Sequence, residues 1–329
     1  MYKISVVLPT YNRKLQLKEV LQGLERQTFS KNDFEVVIVS DGSTDGTHEF
    51  LANFDTSLNL TWVQQKNSGA AATRNNGYRQ AQGKLVLFID DDVVPHEELL
   101  KQHYQSHLAA EMPHDLVVIG PMLTPEDHTY EPWVEWEQEM LYKQYEAMDR
   151  GDWTPTARQF YTGNSSIPLT YLKESGGFDE SFLRAEDVEL AFRLADKGAT
   201  FAFNKDAIGY HYASRSYASW ANIPYSYGRN DVIFTQERGQ TWLVPTIMKE
   251  YKGRHALIRK LNELCLDRAL ISNTTQLVSR AVAQTSHLAG LKSISRAGFS
   301  LIFNIRHYQG ISDQLGGRDR FFQLLSQHG

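Results

Sequence analysis

The chain of 329 residues has an ordinary globular composition, with 41% hydrophobic and 22% charged residues, and is long enough for a large domain with an appendage. Its net charge of −5 is unevenly spread, because residues 1–239 carry 22 Lys and Arg against 34 Asp and Glu, whereas residues 240–329 carry 12 against 5. The single cysteine, Cys265, excludes an intrachain disulfide, and no stretch has the roughly 18 consecutive apolar residues of a membrane span. We therefore expect a soluble, cytoplasmic protein, with attachment to the inner membrane surface left open.

Strand-like and helix-like segments alternate over the first 120 residues. The strand-like segments are continuous apolar runs, which is typical of parallel strands buried on both faces. The alternation predicts an α/β fold with a Rossmann-like, open and mostly parallel sheet flanked by helices, in which ligands bind beyond the carboxyl ends of the strands. The predicted strands are ISVVLP, FEVVIVS, LTWVQQ, KLVLFID and DLVVIG.

The pattern changes after residue 130. An aromatic and acidic segment is followed by RQFYTGNSSIP, which predicts a strand and a loop. A helical face begins close to Glu186 and Asp187, and TFAFNKDAIGYHY predicts one strand that ends at His211. From about residue 245 onward the chain is predicted to be helical.

Polar clusters follow the predicted strands. After the first strand, Tyr11 could stack on a base and Arg13 could contact a phosphate, although Asn12 at a helix start is an equally good interpretation. After the second, Asp41 stands where a carboxylate can accept a hydrogen bond from a base or a ribose. Asp45 is better explained as a turn and cap residue.

Three consecutive carboxylates, Asp90, Asp91 and Asp92, follow the fourth strand. Oxygen ligands suit Mg²⁺ or Mn²⁺, so a divalent metal is the simplest partner for the repelling charges. In an extended or turn segment Asp90 and Asp92 point roughly to one side and Asp91 to the other. The same pattern also opens haloacid-dehalogenase-type phosphatases, with Asp90 as nucleophile and Asp92 as general acid.

Six segments in order resemble family 2 glycosyltransferases, the inverting enzymes with a GT-A fold: SVVLPTYNR, VIVSDGSTDGT, GAAATRNNG, FIDDDVVP, GGFDE and EDVELAFRL. The resemblance covers roughly residues 3–235. It implies a nucleotide-diphosphate sugar donor, a divalent metal (Mn²⁺ or Mg²⁺) and a single displacement at the anomeric carbon.

The resemblance assigns most of the roles residue by residue, and residue chemistry alone suggests Arg13, Gly163, Asn164, Trp133 and Trp136. The nucleotide-binding set is Pro9, Tyr11, Arg13, Asp41, Arg74, Asp90 and Asp91. The metal set is Asp90, Asp92 and His211, with Asp92 as the direct ligand, and the catalytic pair is Asp187 as general base with Glu186 beside it. The donor or acceptor sugar set is Gly163, Asn164, Arg215, Trp133 and Trp136, in which the two tryptophans could equally belong to a core or a dimer interface.

We expect residues 1–239 to form the catalytic domain and residues 240–329 a helical, basic extension. That extension could pack on the catalytic domain, form a homodimer or contact a membrane surface, and no recognised module for nucleic acid is present.

The resemblance thus implies an inverting, metal-dependent hexosyltransferase. The donor is a nucleotide sugar, with UDP favoured by the family's habit. The expected acceptor is a hydroxyl group of a saccharide, of a lipid-linked molecule or of another compound. A role in polysaccharide biosynthesis is expected on general grounds and is not deduced from particular residues. The alternatives are the haloacid-dehalogenase-like phosphatase using Asp90 and Asp92 and a non-catalytic nucleotide-sugar-binding protein.

Overall fold

The computed structural model describes residues 1–328 and divides into two compact units. The α/β unit comprises Met1–Thr129 and Gln138–Ala213. The helical unit comprises Tyr130–Glu137 and the residues from Ser214 onward. The helical unit thus takes up the chain from Ser214 onward, and the expected division into a catalytic domain of residues 1–239 and a basic extension of residues 240–329 stays a prediction.

Ten strands form two sheets in the α/β unit. The seven-stranded sheet has the order β3-β2-β1-β4-β8-β6-β9, and all its pairings are parallel except those of β8, which runs antiparallel between β4 and β6. A small sheet has the order β5-β10-β7. The predicted mostly parallel α/β sheet is therefore confirmed. The strands are β1 Ile4–Thr10, β2 Phe34–Ser40, β3 Leu60–Gln64, β4 Leu85–Ile89, β5 Val93–Pro95, β6 Leu116–Ile119, β7 Met122–Leu123, β8 Asn164–Pro168, β9 Thr200–Phe203 and β10 Gly209–His211.

The predicted single strand ending at His211 was wrong, because the segment forms two strands in different sheets. Between β9 and β10 the chain turns at Asn204, whose side-chain oxygen accepts the Asp206 amide at 2.9 Å. The turn directs β10 antiparallel to β5, which begins directly after the triple aspartate. As a result, His211 is carried to the neighbourhood of the carboxylates.

Helices pack on the large sheet and complete the core of the α/β unit. The side chains of Leu17, Val20, Leu21 and Leu24 are fully buried, as their helical spacing predicted. The helices are α1 Lys14–Glu25, α2 Thr47–Ala52, α3 Ala70–Gln80, α4 Leu99–Ala109, α6 Leu169–Glu174 and α7 Glu186–Asp196, together with α5 Pro132–Asp149, whose first residues belong to the helical unit.

The helical unit contains α8 Tyr217–Glu237, α9 Leu243–Gly253, α10 Ala256–Cys265, α11 Ala269–Leu288, α12 Lys292–Leu315 and α13 Arg318–Gln327. Helices α8 and α12 cross closely at glycines: a Cβ on Gly228 would lie 2.1 Å from the carbonyl oxygen of His307. The helical C-terminal region is therefore confirmed. Across residues 1–328, every helix is either too short or too polar to traverse a bilayer.

Candidate functional site at the carboxyl edge of the sheet

The loops that follow β1 and β2 are tied together. Asn12 adopts a left-handed conformation (φ 52°), which is uncommon for a residue other than glycine. Its backbone amide donates to Ser43 Oγ at 3.0 Å and its side-chain oxygen accepts the Thr44 amide at 2.7 Å. Asn12 therefore joins the two loops by hydrogen bonds and is not the N-cap of α1, which was the other interpretation of the sequence. The Tyr11 ring beside it is 49% exposed, which leaves it open to stacking.

Asp41 is buried, and its carboxylate organises the next loop. Oδ1 accepts hydrogen bonds from Gln65 Nε2 and the Ser68 amide, both at 2.8 Å, and Oδ2 accepts from the Gly69 amide at 2.9 Å. Gly69 has a φ of 89°, which favours glycine, and it begins α3. Asp41 thus shapes the loop that leads to Arg74, and its contact with a nucleoside stays a prediction.

Two arginines pair with the triple aspartate. Arg13 Nη1 lies 3.0 Å from Asp91 Oδ1 and 2.6 Å from Asp92 Oδ2. Asp90 Oδ1 instead pairs with Arg74 Nη2 at 2.8 Å. The expected alternation was wrong, because the side chains of Asp91 and Asp92 meet the same cation, Arg13.

Arg74 connects the aspartates to α7. Its guanidinium is buried, with Nη1 bonded to Glu186 Oε1 at 2.7 Å while Nη2 binds Asp90. The Nε atom is buried and has no hydrogen-bond partner. Because a guanidinium remains protonated, Arg74 is a fixed positive charge between two carboxylates from distant parts of the chain.

Asp187 lies in the first turn of α7, directly after Glu186. The helix is entered through Ala185 in the left-handed region (φ 60°), a strained conformation for alanine. Burial raises the pKa of Asp187 to about 7, the neighbouring Glu186 carboxylate adds to the rise, and Arg74 opposes it. A carboxylate with such a pKa is suited to accept a proton near neutral pH.

His211 and Asp92 are adjacent, as predicted for metal ligands. His211 Nε2 lies 3.6 Å from Asp92 Oδ1, and the Tyr212 amide donates to the Asp92 carbonyl at 2.8 Å. Over residues 1–328, however, no three His, Cys, Asp or Glu side chains are gathered as a metal site. The predicted set is assembled only in part, because Asp90 is bound to Arg74.

Gly163, directly before β8, and Asn164, the first residue of β8, have different environments. A Cβ on Gly163 would lie 3.2 Å from Asp90 Oδ2, so the backbone does approach the carboxylates there. Asn164 is fully buried: its Oδ1 contacts His103 Nε2 at 2.9 Å, and its Nδ2 donates to the carbonyls of Pro121 (3.0 Å) and Ala207 (2.7 Å). Both polar side-chain atoms of Asn164 are thus bonded within the protein and none is left for a sugar. The predicted contact of Asn164 with a sugar was wrong, and its role is structural.

Trp133, Trp136 and Arg215 all lie in the helical unit. The two tryptophans are 6% and 7% exposed, and Trp133 Nε1 donates to the Arg215 carbonyl at 3.0 Å. Trp136 packs edge-on against Trp220, with ring centroids 5.8 Å apart. The two tryptophans are therefore core residues, which is one of the interpretations that the sequence allowed. Arg215 pairs with Glu137 at 3.2 Å, and its contact with a sugar stays a prediction.

The sequence analysis missed two glutamines at this edge. Gln65 contacts Asp41, and Gln138 Nε2 lies 3.3 Å from His211 Nδ1, with the Gln138 Oε1 atom buried and unpaired. Gln138 lies on a helix that the aromatic pattern dominated, 73 residues from its partner, so no local pattern could identify it.

The fold is similar to that of solved GT-A-type structures. The mannosyltransferase PcManGT from Pyrobaculum calidifontis, in complex with GDP-Man and Mn²⁺, superposes with a TM-score of 0.59 at 19% identity, over 91% of this chain and 85% of that one. S. aureus TarS 1-349, in complex with UDP-GlcNAc, superposes with a TM-score of 0.58 at 23% identity, over 93% and 90%. These likenesses show that the chain has a GT-A-type α/β fold.

The family follows from the sequence profile. The profile of glycosyl transferase family 2 matches residues 5–170, half of the chain, and the protein belongs to this family. A validoxylamine A glucosyltransferase of Streptomyces hygroscopicus subsp. limoneus is 32% identical over 237 residues, 63% of this chain and 51% of its own length. The chain thus spans about half the length of its Streptomyces relatives.

Proposed function

We propose that this protein is an inverting glycosyltransferase that moves a sugar from a nucleotide-diphosphate donor to an acceptor hydroxyl, with a UDP-sugar favoured. The observation that carries the proposal is the position of Asp187. Its carboxyl has a pKa raised to about 7, and its neighbour Glu186 is joined through Arg74 to Asp90 at the carboxyl edge of the sheet. Family membership supports the same chemistry.

The donor's nucleoside would lie against the loops after β1 and β2. Tyr11 offers an exposed ring for stacking, and Asp41 holds the neighbouring loop through backbone amides. Pro9, Arg13, Arg74 and Asp91 complete the proposed nucleotide-binding set. Two structural neighbours are complexes with UDP-GlcNAc and with GDP-Man, which supports a nucleotide sugar as ligand and leaves both bases as candidates.

The proposed metal is Mn²⁺ or Mg²⁺, held by Asp92 with Asp90 and His211. The donor set fits a hard cation in its chemistry, since two of the three ligands are carboxylates. Asp92 Oδ1 and His211 Nε2 are 3.6 Å apart, too far to be hydrogen-bonded to each other. When bound, such a cation supplies positive charge that stabilises the departing diphosphate.

Asp187 would act as the general base that takes the proton of the acceptor hydroxyl. A base works best when its pKa lies near the working pH, and burial beside Glu186 places Asp187 there. Inversion needs only this one base and no carboxylate nucleophile. Arg74 is bonded to Glu186 at 2.7 Å, which holds the first turn of α7 in place.

The test is turnover of nucleotide sugars by the wild type, Asp187→Asn and the control Asp206→Asn, an exposed aspartate in the β9–β10 turn. UDP-glucose, UDP-GlcNAc and GDP-mannose are incubated with Mn²⁺ and simple glycoside acceptors, and released nucleoside diphosphate is measured. We expect Asp187→Asn to lower kcat by about 10²- to 10⁴-fold with little change in donor binding. Unchanged turnover in Asp187→Asn would remove Asp187 as the base, and retained anomeric configuration in the product would contradict a single displacement.

A further inference from the structure

Helix α11 has its large apolar side chains on the outside. Six of them are between 41% and 85% exposed, whereas the buried residues of the helix are the small Ser272, Ser279, Ala283 and Ser286. Arg280 also faces the protein, where its guanidinium stacks on the Tyr217 ring. An ordinary surface helix has the reverse arrangement. The exposed side chains are Leu270, Ile271, Leu277, Val278, Val282 and Leu288.

The orientation is fixed by close packing on α12. Ser279 Oγ donates to the carbonyl of Gly298 at 2.9 Å, and a Cβ on Gly298 would lie 2.8 Å from Ala283 Cβ. Only small side chains fit at this crossing, so the large ones must face outward. A contiguous apolar stripe about 30 Å long results, and soluble proteins rarely leave such a patch uncovered.

Cations outnumber carboxylates around this stripe. From Arg268 to Ser312 the chain contains no Asp or Glu. Arg268 stands exposed before the helix, and Lys292 and Arg296 stand exposed after it. Lys292 lies 3.8 Å from Glu135, but its side chain remains 67% exposed. Two carboxylates also lie at the ends: Asp267, which is bonded to Gln309 and Ser312, and Glu135, which lies 3.6 Å from His287. The three cations outnumber them, so both ends of the stripe carry a basic residue and the whole has an excess of positive charge.

The charges at the ends of the stripe favour a lipid surface over a second copy of the chain as its partner. Against a second copy, a parallel pairing would bring Arg268 to Arg268 and an antiparallel one would bring Arg268 to Lys292, so the excess of positive charge at these ends disfavours either pairing. An anionic lipid surface attracts the cations at both ends and takes up the apolar side chains between them. Leu291 and Ile294, 52% and 47% exposed, extend the apolar surface between α11 and the cations.

We propose that the outward face of α11, with Arg268, Lys292 and Arg296 at its ends, is a docking surface for an anionic phospholipid bilayer. The helix lies on the bilayer and does not span it. The proposal rests on the helical unit alone and does not depend on the glycosyltransferase assignment.

The test is flotation of the full chain with vesicles of phosphatidylcholine, with and without a quarter of phosphatidylglycerol. We expect at least about tenfold more protein on the anionic vesicles, lost when salt is raised from about 0.1 M to about 1 M. Leu277→Gln/Leu288→Gln should lower binding at least about tenfold, while the matched pair Leu15→Gln/Leu108→Gln, exposed leucines of the α/β unit, should bind like the wild type. Lys292→Gln should weaken anionic binding about fivefold.

The α11 substitutions replace exposed residues, so their thermal unfolding should match that of the wild type and loss of binding cannot be ascribed to misfolding. Equal binding by the wild type and the α11 double variant, or no binding to anionic vesicles, would overturn the proposal. So would a dimer of twice 37.6 kDa in sedimentation that Leu277→Gln/Leu288→Gln converts to monomer, since the stripe would then belong to a second copy.

Discussion

Replacing Asp187 by Asn should stabilise the folded chain, and more so at high pH than at low pH. The pKa of Asp187 is raised from its ordinary 3.8 to about 7 by burial and by Glu186. The folded chain therefore holds this proton more tightly than the unfolded chain, and stability falls as pH rises from about 4 to about 7. At pH 8 the raised pKa lowers the free energy of unfolding by at most about 4 kcal/mol, and at pH 5 it lowers it by about 1.5 kcal/mol.

Urea denaturation of the wild type and Asp187→Asn at both pH values measures this cost. The variant's advantage in the free energy of unfolding should grow by roughly 2–3 kcal/mol between pH 5 and pH 8. The comparison between pH values removes any pH-independent effect of the amide. An identical advantage at both pH values would refute the raised pKa and, with it, the reason for choosing Asp187 as the base. In the active enzyme, the same group predicts that kcat/KM rises with pH through about 7.

Three further predictions concern the buried polar groups. Arg74→Met leaves the Glu186 carboxylate buried and unpaired, and should lower the free energy of unfolding in urea by about 3–5 kcal/mol, with Arg74→Lys closer to the wild type. Asn164→Ala removes a hydrogen-bond partner from each of two carbonyls and from His103 Nε2 and should lower the free energy of unfolding by about 2 kcal/mol or more in the same assay. An unchanged free energy of unfolding would contradict the structural role of Asn164. Burial lowers the pKa of His103 to about 4 and that of His107 to about 3, so stability should fall as pH drops below about 6.5, and His103→Gln/His107→Gln should flatten that acid slope.

The sequence predicts the parallel strands well because their apolar runs are local and uninterrupted. It predicts β8 poorly, since Asn164, Ser165 and Ser166 are polar and yet fully buried. Their burial is possible because His103 and His107 from α4 bond to Ser166 Oγ, each at 2.9 Å, roughly 60 residues away in sequence. Pairing over such a distance leaves no periodic signal.

The candidate site shows the same limit. Strand ends identify the edge where Asp41, Asp90 and Asp92 meet, because parallel strands bring their carboxyl ends together. The partners of these carboxylates are not local: Arg13 lies 78 residues from Asp91, and Arg74 lies 112 residues from Glu186. The three adjacent carboxylates suggested a metal as their positive partner, whereas the fold also brings two arginines into contact with them.

Binding of nucleotides tests the central claim most directly, that the carboxyl edge of the sheet is a nucleotide-sugar site. Thermal unfolding is measured with UDP, GDP, dTDP or CMP, with and without Mn²⁺, for the wild type, Asp92→Asn and the control Asp206→Asn. A ligand at a hundred times its Kd stabilises the folded chain by about 2.7 kcal/mol, which raises Tm by several degrees. We predict a shift with one nucleoside diphosphate that requires Mn²⁺, is lost in Asp92→Asn and is kept in Asp206→Asn. No shift with any nucleotide, or an equal shift in Asp92→Asn, would contradict the account.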